Sequence, residues 1–479
     1  MRTTLRLELN FDKGSILCRG LEPGLTMVEI EAKFKLPHLR WDPRVGAYRA
    51  PGSSYREIVE ALYHSKIGYE DHVLDLIPCP VPLGLTQYLS LRDYQQKALE
   101  EWWAAGKQGV VVLPTGAGKT YVAFGAIARL NKDRIASPAP TFIVVPTLDL
   151  VDQWIAELRR FFNTEIGEYT GRIKIPAPIT VATYDSAYIH AEHLGNRFKF
   201  LVVDEVHHLP AESYRRIAQA FVAPYRLGLT ATYEREDELH EILPELLGGK
   251  VFELGAKELA GEYLAEYEVR TFKLPLTPQE QKAYTSKARL FSNYLRSRGI
   301  RMTSPADFQK LVLRSGSDPR AWEALRAQNE ARRIAFNSRA KLEKLEELLE
   351  DHQGDRIIIF TRYNDLVYRI SRRFLIPAIT HKTGKDERQR VLRGFKEGIY
   401  RAIVSSQVLD EGVDVPEANV GIILSGTGSP REFIQRLGRI LRPSPGKRAI
   451  LYELVSSETG EVRTASKRKR QRRGRKDAP

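Results

Sequence analysis

Three short stretches of this 479-residue chain combine residue types that can handle phosphate. The first is Val110-Val111-Val112-Leu113-Pro114-Thr115-Gly116-Ala117-Gly118-Lys119-Thr120. An apolar strand runs into a glycine loop and then into a helical pattern. Glycines let backbone N–H groups curl around phosphate oxygens, and a helix N-terminus adds a favourable dipole. Thr115, Gly116, Ala117 and Gly118 would form the cradle. Lys119 would reach the β and γ phosphates of a nucleotide, and Thr120 would hold Mg²⁺. The first glycine of the usual phosphate-loop pattern is Leu113 here.

The second stretch, Phe200-Leu201-Val202-Val203-Asp204-Glu205-Val206-His207-His208, is an apolar strand that ends in two adjacent carboxylates. Asp204 can hold Mg²⁺ at the strand's end, and Glu205 can polarise an attacking water. No third ligand at zinc spacing accompanies His207 and His208, so a metal role for them is disfavoured. The third stretch is Gln435-Arg436-Leu437-Gly438-Arg439-Ile440-Leu441-Arg442. Arg439 and Arg442 share one helix face. Two guanidinium groups there suit the charge of a phosphoryl transition state, and a solvated basic helix is the bland alternative.

Such residues need a scaffold that brings strand ends together. Gly109–Leu113, Thr141–Val145, Ile179–Ala182, Phe200–Val203 and Arg226–Leu229 are short apolar runs separated by helical patterns. That rhythm predicts a parallel sheet covered on both faces over 87–245. It returns at Arg356–Phe360, Ala378–Thr380, Arg401–Val404, Gly421–Leu424 and Ala449–Leu454, with helices over Asp386–Lys396 and Pro430–Gly438. A second α/β lobe is therefore expected over 246–457, interrupted by a helical insert at about 277–330. Asn337 or Ser338 would cap the next helix, whose Leu342, Leu345, Leu348 and Leu349 make one stripe. Residues 1–86 read as a small α+β domain, with Leu5, Leu7, Leu9 and Phe11 alternating as a strand and a helix at Tyr55–Tyr63; Pro78, Pro80 and Pro82 mark its end.

Composition bounds the partners. Lys and Arg number 74 against 60 Asp and Glu, a formal charge of +14. Residues 467–476 carry eight basic side chains, so removing those eight from +14 leaves +6. A polyanion is the expected partner, and 458–479 reads as a disordered basic tail. Cys18 and Cys79 are too few for a disulfide scaffold, which fits a reducing, intracellular (cytoplasmic) setting. No apolar run is long enough to span a membrane, and no signal peptide is visible.

The ordered set of motifs resembles the superfamily 2 helicases and nucleic-acid translocases. Leu91-Arg92-Asp93-Tyr94-Gln95 is similar to the Q-motif region, which implies that Gln95, with Arg92 beside it, contacts the adenine end of ATP. Pro146-Thr147 resembles motif Ia and Thr183-Tyr184 motif Ic, both expected to touch DNA. Thr230-Ala231-Thr232 resembles motif III, Thr361-Arg362 closes a motif IV, and Gly412 and Asp414 lie in a motif V on the nucleotide side. Within that superfamily, Arg235-Glu236-Asp237 after motif III, Asp-Glu-Val-His in motif II and the helical insert are similar to the XPB family, in compact archaeal form. That resemblance implies two tandem RecA-like lobes and a thumb-like insert. It also implies a DNA-dependent ATPase with catalytic Lys119, Asp204, Glu205, Gln435, Arg439 and Arg442. Polarity 3′ to 5′, duplex opening in nucleotide excision repair or transcription, and action beside a nuclease partner are implied as well. Arg235, Glu236 and Asp237 would open the duplex as a wedge or latch. Residues 41–51 resemble a damage-recognition domain, where Trp41 and Tyr48 with Arg40, Arg44 and Arg49 either grip DNA or form a core with a charged rim. The rivals are an RNA helicase, a restriction-system translocase, or a DNA-binding protein without turnover.

Overall fold

The computed structural model describes residues 6–79, 83–132, 138–235, 237–255, 258–259, 266–302, 305–406, 418–424 and 448–462. The described chain falls into two compact units: a first that runs to Gly255, apart from the four loop residues 114–117, and a second that follows it.

The first unit opens with β1 (Arg6–Asp12), β2 (Ser15–Arg19), β3 (Arg40–Asp42), β4 (Ala47–Pro51) and β5 (Gly68–His72), in sheet order β3-β4-β2-β1-β5. Leu7 and Leu9 alternate inward as the pattern requires and pack with Ile16, Cys18, Ile30, Ile58 and Leu62. Tyr48 lies in that core at 1% exposure, and its hydroxyl donates to Glu22 O. Trp41 meets it edge-on at 5.0 Å. Arg44 and Arg49 both bind the Asp42 carboxylate, and Arg49 also binds Asp12. Of the five candidate gripping residues, Tyr48, Arg44 and Arg49 are thus committed internally, which favours the core-and-rim alternative.

The large sheet follows, built from β6 (Gln108–Val112), β7 (Thr141–Val145), β8 (Ile166–Tyr169), β9 (Lys174–Ile175), β10 (Ile179–Thr183), β11 (Phe200–Asp204), β12 (Tyr225–Thr230) and β13 (Lys250–Glu253). Its order is β13-β6-β12-β11-β7-β10-β8-β9, parallel except for β9. Because β13 pairs with β6, this sheet extends past the expected limit at 245. β6, β12, β11, β7 and β10 are fully or almost fully buried, as continuous apolar runs demand.

The N-terminal sheet is seated on this lobe through residues 218–226. Gly14 and Gly52 touch Ala220 so closely that an added Cβ would stand 2.7 and 2.5 Å from it. Val222 is buried in the N-terminal core. Arg56 donates to Gly106 O and Pro224 O, while the backbone at 75 and 77 bonds to Asn196 and Arg197. The segment itself is shaped by Arg226, a fully buried guanidinium that donates to the carbonyls of Ala218, Phe221, Ala223 and Leu246. Burial pulls its pKa down to about 10.

The second unit holds a parallel sheet of β14 (Glu266–Leu274), β15 (Ile357–Phe360), β16 (Ala378–Ile379), β17 (Ala402–Ser405), β18 (Val420–Ile423) and β19 (Arg448–Ser456), in order β14-β19-β18-β15-β17-β16. The expected insert is three helices, Pro278–Ser297, Pro305–Ser315 and Pro319–Phe336. Ser338 precedes the helix Arg339–Asp351, and Leu342, Leu345 and Leu348 of its stripe are buried. Lys341 from this helix is also fully buried, with Nζ on both oxygens of Glu461 and on Leu424 O. Chain order therefore extends beyond 458, where the tail was expected to begin. Among the described residues no helix is long and apolar enough to cross a membrane.

Candidate nucleotide-binding and hydrolysis site

The glycine loop leaves β6 at Leu113 and enters the helix Lys119–Asn131. Gly116 and Gly118 have φ of 85° and 71°, a left-handed backbone open to glycine. A Cβ on Gly118 would also stand 2.6 Å from the Gln95 amide. That amide donates to Gly118 O at 3.2 Å, and the Gln95 carbonyl oxygen accepts from Arg92 N. Gln95 is thus buried as a brace behind the loop. Lys119 Nζ reaches Leu113 O at 3.4 Å, inside the loop's curve. The Thr115 hydroxyl is buried with no hydrogen-bond partner among the described residues. Open glycines, a lysine folded into the loop and an orphaned hydroxyl form a donor set that fits nucleotide phosphates.

Asp204 closes β11 at 7% exposure. Trp154 Nε1 donates to its Oδ2 at 3.0 Å and Glu205 N to its Oδ1 at 2.9 Å. Burial pushes its pKa up, and the nearby Lys119 charge opposes that rise. A buried carboxylate is a hard oxygen donor of the type a divalent cation takes, and the Thr120 hydroxyl is the other expected donor. Glu205 adopts φ 47°, ψ 51°, a left-handed conformation costly for a non-glycine residue. The turn Val206–His208 follows. The His207 ring is buried with Nδ1 3.1 Å from Thr230 Oγ1 and 3.4 Å from Glu205 Oε2. Thr230 Oγ1 in turn donates to Thr232 O, so motifs II and III form one hydrogen-bonded block.

Arg235 belongs to the same block. Its Nη1 donates to His207 O, while Nε and Nη2 take both oxygens of Asp237 at 2.8 and 2.6 Å. Arg235 is therefore tied to motif II with Asp237 paired to it, and Glu236 lies outside the described residues.

Two expected DNA contacts sit in the interior. Tyr184 is 2% exposed, and its hydroxyl donates to Asp204 O at 2.9 Å and Glu205 O at 3.2 Å. Thr361 is fully buried at the end of β15. Neither side chain is presented to a ligand at the surface. Pro146, Thr147 and Thr183 are half-buried and Arg362 is exposed. Thr147 and Thr183 cap the helices Leu148–Phe161 and Tyr184–Leu194. Gly412, Asp414, Gln435, Arg439 and Arg442 lie outside the described residues. Sequence reasoning missed Trp154: it reads as one more apolar residue of a helical stripe, and only the fold brings it to Asp204.

Comparison with known proteins agrees with this arrangement. The family described as type III restriction enzyme, res subunit, matches residues 88–235. The helicase conserved C-terminal domain matches 340–444, and the xeroderma pigmentosum group B helicase damage recognition domain matches 9–73. The chain is 43% identical over 461 residues to the DNA 3′-5′ translocase XPB2 of Sulfurisphaera tokodaii, covering 96% of this chain and 99% of that one. The DNA 3′-5′ helicases XPB of Kineococcus radiotolerans and Mycobacterium tuberculosis are 32% and 30% identical over 80% and 81% of this chain. This chain spans only 62% and 65% of those two proteins. The solved Pyrococcus furiosus Hef helicase domain matches in fold over 79% of this chain and 98% of that one, with TM-score 0.51 and 21% identity. Three domain matches in the expected order and a relative matched nearly end to end place the chain in the XPB family of superfamily 2 helicases, with two tandem RecA-like lobes.

Proposed function

We propose that this protein is an ATP-driven DNA helicase or translocase of the XPB type, moving 3′ to 5′ and opening duplex DNA in excision repair or transcription. The observation that carries the reading is the buried Asp204 at the end of β11, beside Lys119 of the glycine loop, with Glu205 held left-handed next to it. Loop residues 115–118 would receive the phosphates, and Lys119 would neutralise charge on the transferring phosphoryl. Thr120 and Asp204 would hold Mg²⁺, which when bound supplies Lewis acidity at the phosphates. Glu205 would orient the attacking water and accept its proton. Arg439 and Arg442, with Gln435, would stabilise transition-state charge, and Gly412 and Asp414 would contribute on the nucleotide side. Gln95 braces the loop and Arg92 sits beside it; their reach to adenine is part of the proposal. Pro146, Thr147, Thr183 and Arg362 are the remaining candidates for DNA contact. A nuclease acting on the opened strands is the partner that such an activity would serve.

The test is ATP turnover with no nucleic acid, with duplex DNA, with single-stranded DNA and with RNA, in the wild type and in Lys119→Ala. We expect stimulation by DNA and near-zero turnover in the variant. Stimulation by RNA alone would favour an RNA motor. Normal turnover in Lys119→Ala would refute the nucleotide site.

A further inference from the structure

Motif II is held by two donors that arrive from opposite faces of the sheet. Side chains alternate along β11, so Leu201 and Val203 face one side and Phe200, Val202 and Asp204 the other. Tyr184 packs in the cluster of Leu201 and Val203. Trp154 packs edge-on against Phe124 at 5.8 Å and reaches the Asp204 carboxylate. One donor therefore fixes the carboxylate. The other donates to the Asp204 and Glu205 carbonyls, which precede and follow the left-handed Glu205 Cα.

Both donors ride on helices that begin at neighbouring strand ends. β7 lies between β11 and β10, and Val145 is in register with Thr183. The helix Leu148–Phe161 leaves β7 with Trp154 two turns in; the helix Tyr184–Leu194 leaves β10 with Tyr184 as its first residue. A hydrogen-bonded helix moves as a rigid rod over such lengths. Thr147 and Thr183, the N-caps, are thus each connected to motif II through a single helix.

We propose that Trp154 and Tyr184 are positioning residues for ATP hydrolysis, which report occupancy of DNA at 146–147 and 183 to the metal-binding carboxylate and to the water-orienting turn. This rests on the function proposed above. Neither residue touches nucleotide or DNA, so each acts through motif II. The two are complementary, since the indole sets the direction of a side chain and the phenol sets the backbone that carries the next one.

The experiment uses full-length Tyr184→Phe, which removes only the hydroxyl, Trp154→Phe, which removes the indole N–H together with part of a buried ring, and the double variant, with thermal melting to register the lost volume. Basal and DNA-saturated kcat, nucleotide affinity and the Kd for DNA are measured separately. The ratio of stimulated to basal kcat should fall about tenfold for each donor, which corresponds to about 1.4 kcal/mol. DNA Kd should stay within about twofold. Equal losses in basal and stimulated rates would make these residues merely structural and overturn the proposal. A second measurement needs no variant and no turnover: amide exchange at 204–208 in the wild type, without nucleotide, should slow when DNA is added. Unchanged exchange overturns the coupling. Wild-type turnover that DNA fails to stimulate overturns the function itself, whereas stimulation shared in full by all three variants overturns this inference alone.

Discussion

Replacing Arg235 by Ala should slow ATP hydrolysis as well as strand separation. The contact with His207 O comes from a charged donor, and such bonds contribute about 1.5–3 kcal/mol. The Asp237 partner is 40% exposed, which limits the ion pair to about 0–1 kcal/mol. Loss of the guanidinium thus releases about 2 kcal/mol of restraint on the Val206–His208 turn. If that restraint is needed in the transition state, kcat falls about 30-fold. Asp237→Asn keeps an acceptor for Arg235 and should cost less than about threefold. Arg235→Lys cannot span both partners and should fall between. ATP turnover, nucleotide affinity and opening of one forked duplex are measured on each variant after thermal melting verifies the fold. Full turnover in Arg235→Ala together with lost strand separation would refute this reasoning and restore the wedge expected from sequence.

Other outcomes are expected on separate grounds. Glu205→Gln should bind ATP-Mg²⁺ normally and hydrolyse it at least about 10³-fold more slowly, because Asp204 still holds the metal; lost binding in equilibrium titration would mean that the two carboxylate roles are wrong. Asp42 is held below the usual carboxylate range, first by its hydrogen bond to Arg44. A depressed pKa stabilises the fold above the unfolded value near ~4, and that contribution fades as pH falls below it. Asp42→Asn should therefore lower Tm at pH 7, with a gap that closes under acid; a gap independent of pH would contradict this. Deleting 467–476 should weaken DNA binding and reduce the log–log salt slope by up to about 7, while maximal turnover stays nearly intact. An unchanged slope would assign the tail to protein partners.

The positions of the strands were legible in the sequence because parallel strands covered on both faces read as unbroken apolar runs. Thr141–Val145 was expected at its observed bounds, and the runs at 200–203 and 226–229 each lie within the observed strand. The glycine loop and the Asp204-Glu205 pair announced themselves by residue type. What stayed hidden depends on long-range contact. Trp154 and Asp204 are 50 positions apart, and nothing local distinguishes that indole from a core residue. Tyr184 and Thr361 were expected to touch DNA because they lie in motifs that resemble DNA-contacting ones, yet both side chains are buried. β13 was missed because Lys250–Glu253 has little apolar signal of its own and is recruited by β6. Arg226 was placed at the start of a strand, but nothing in the sequence announces the four carbonyls that close around its guanidinium.

Val222 belongs by sequence to the large lobe and by packing to the N-terminal core, so the two folds share a wall. That makes the N-terminal module a poor cassette. Cutting the chain near residue 86 would strip the partner from Val222 and bare an apolar seam that invites aggregation. Grafting a foreign module in its place would require two glycine-like gaps facing Ala220, where Gly14 and Gly52 now fit, and a basic side chain able to find Gly106 O and Pro224 O. Enlarging the side chain at 220 would close the gap at Gly14, while the gap at Gly52 is set by the Ala220 carbonyl. The module and the lobe are thus fitted to each other along one seam.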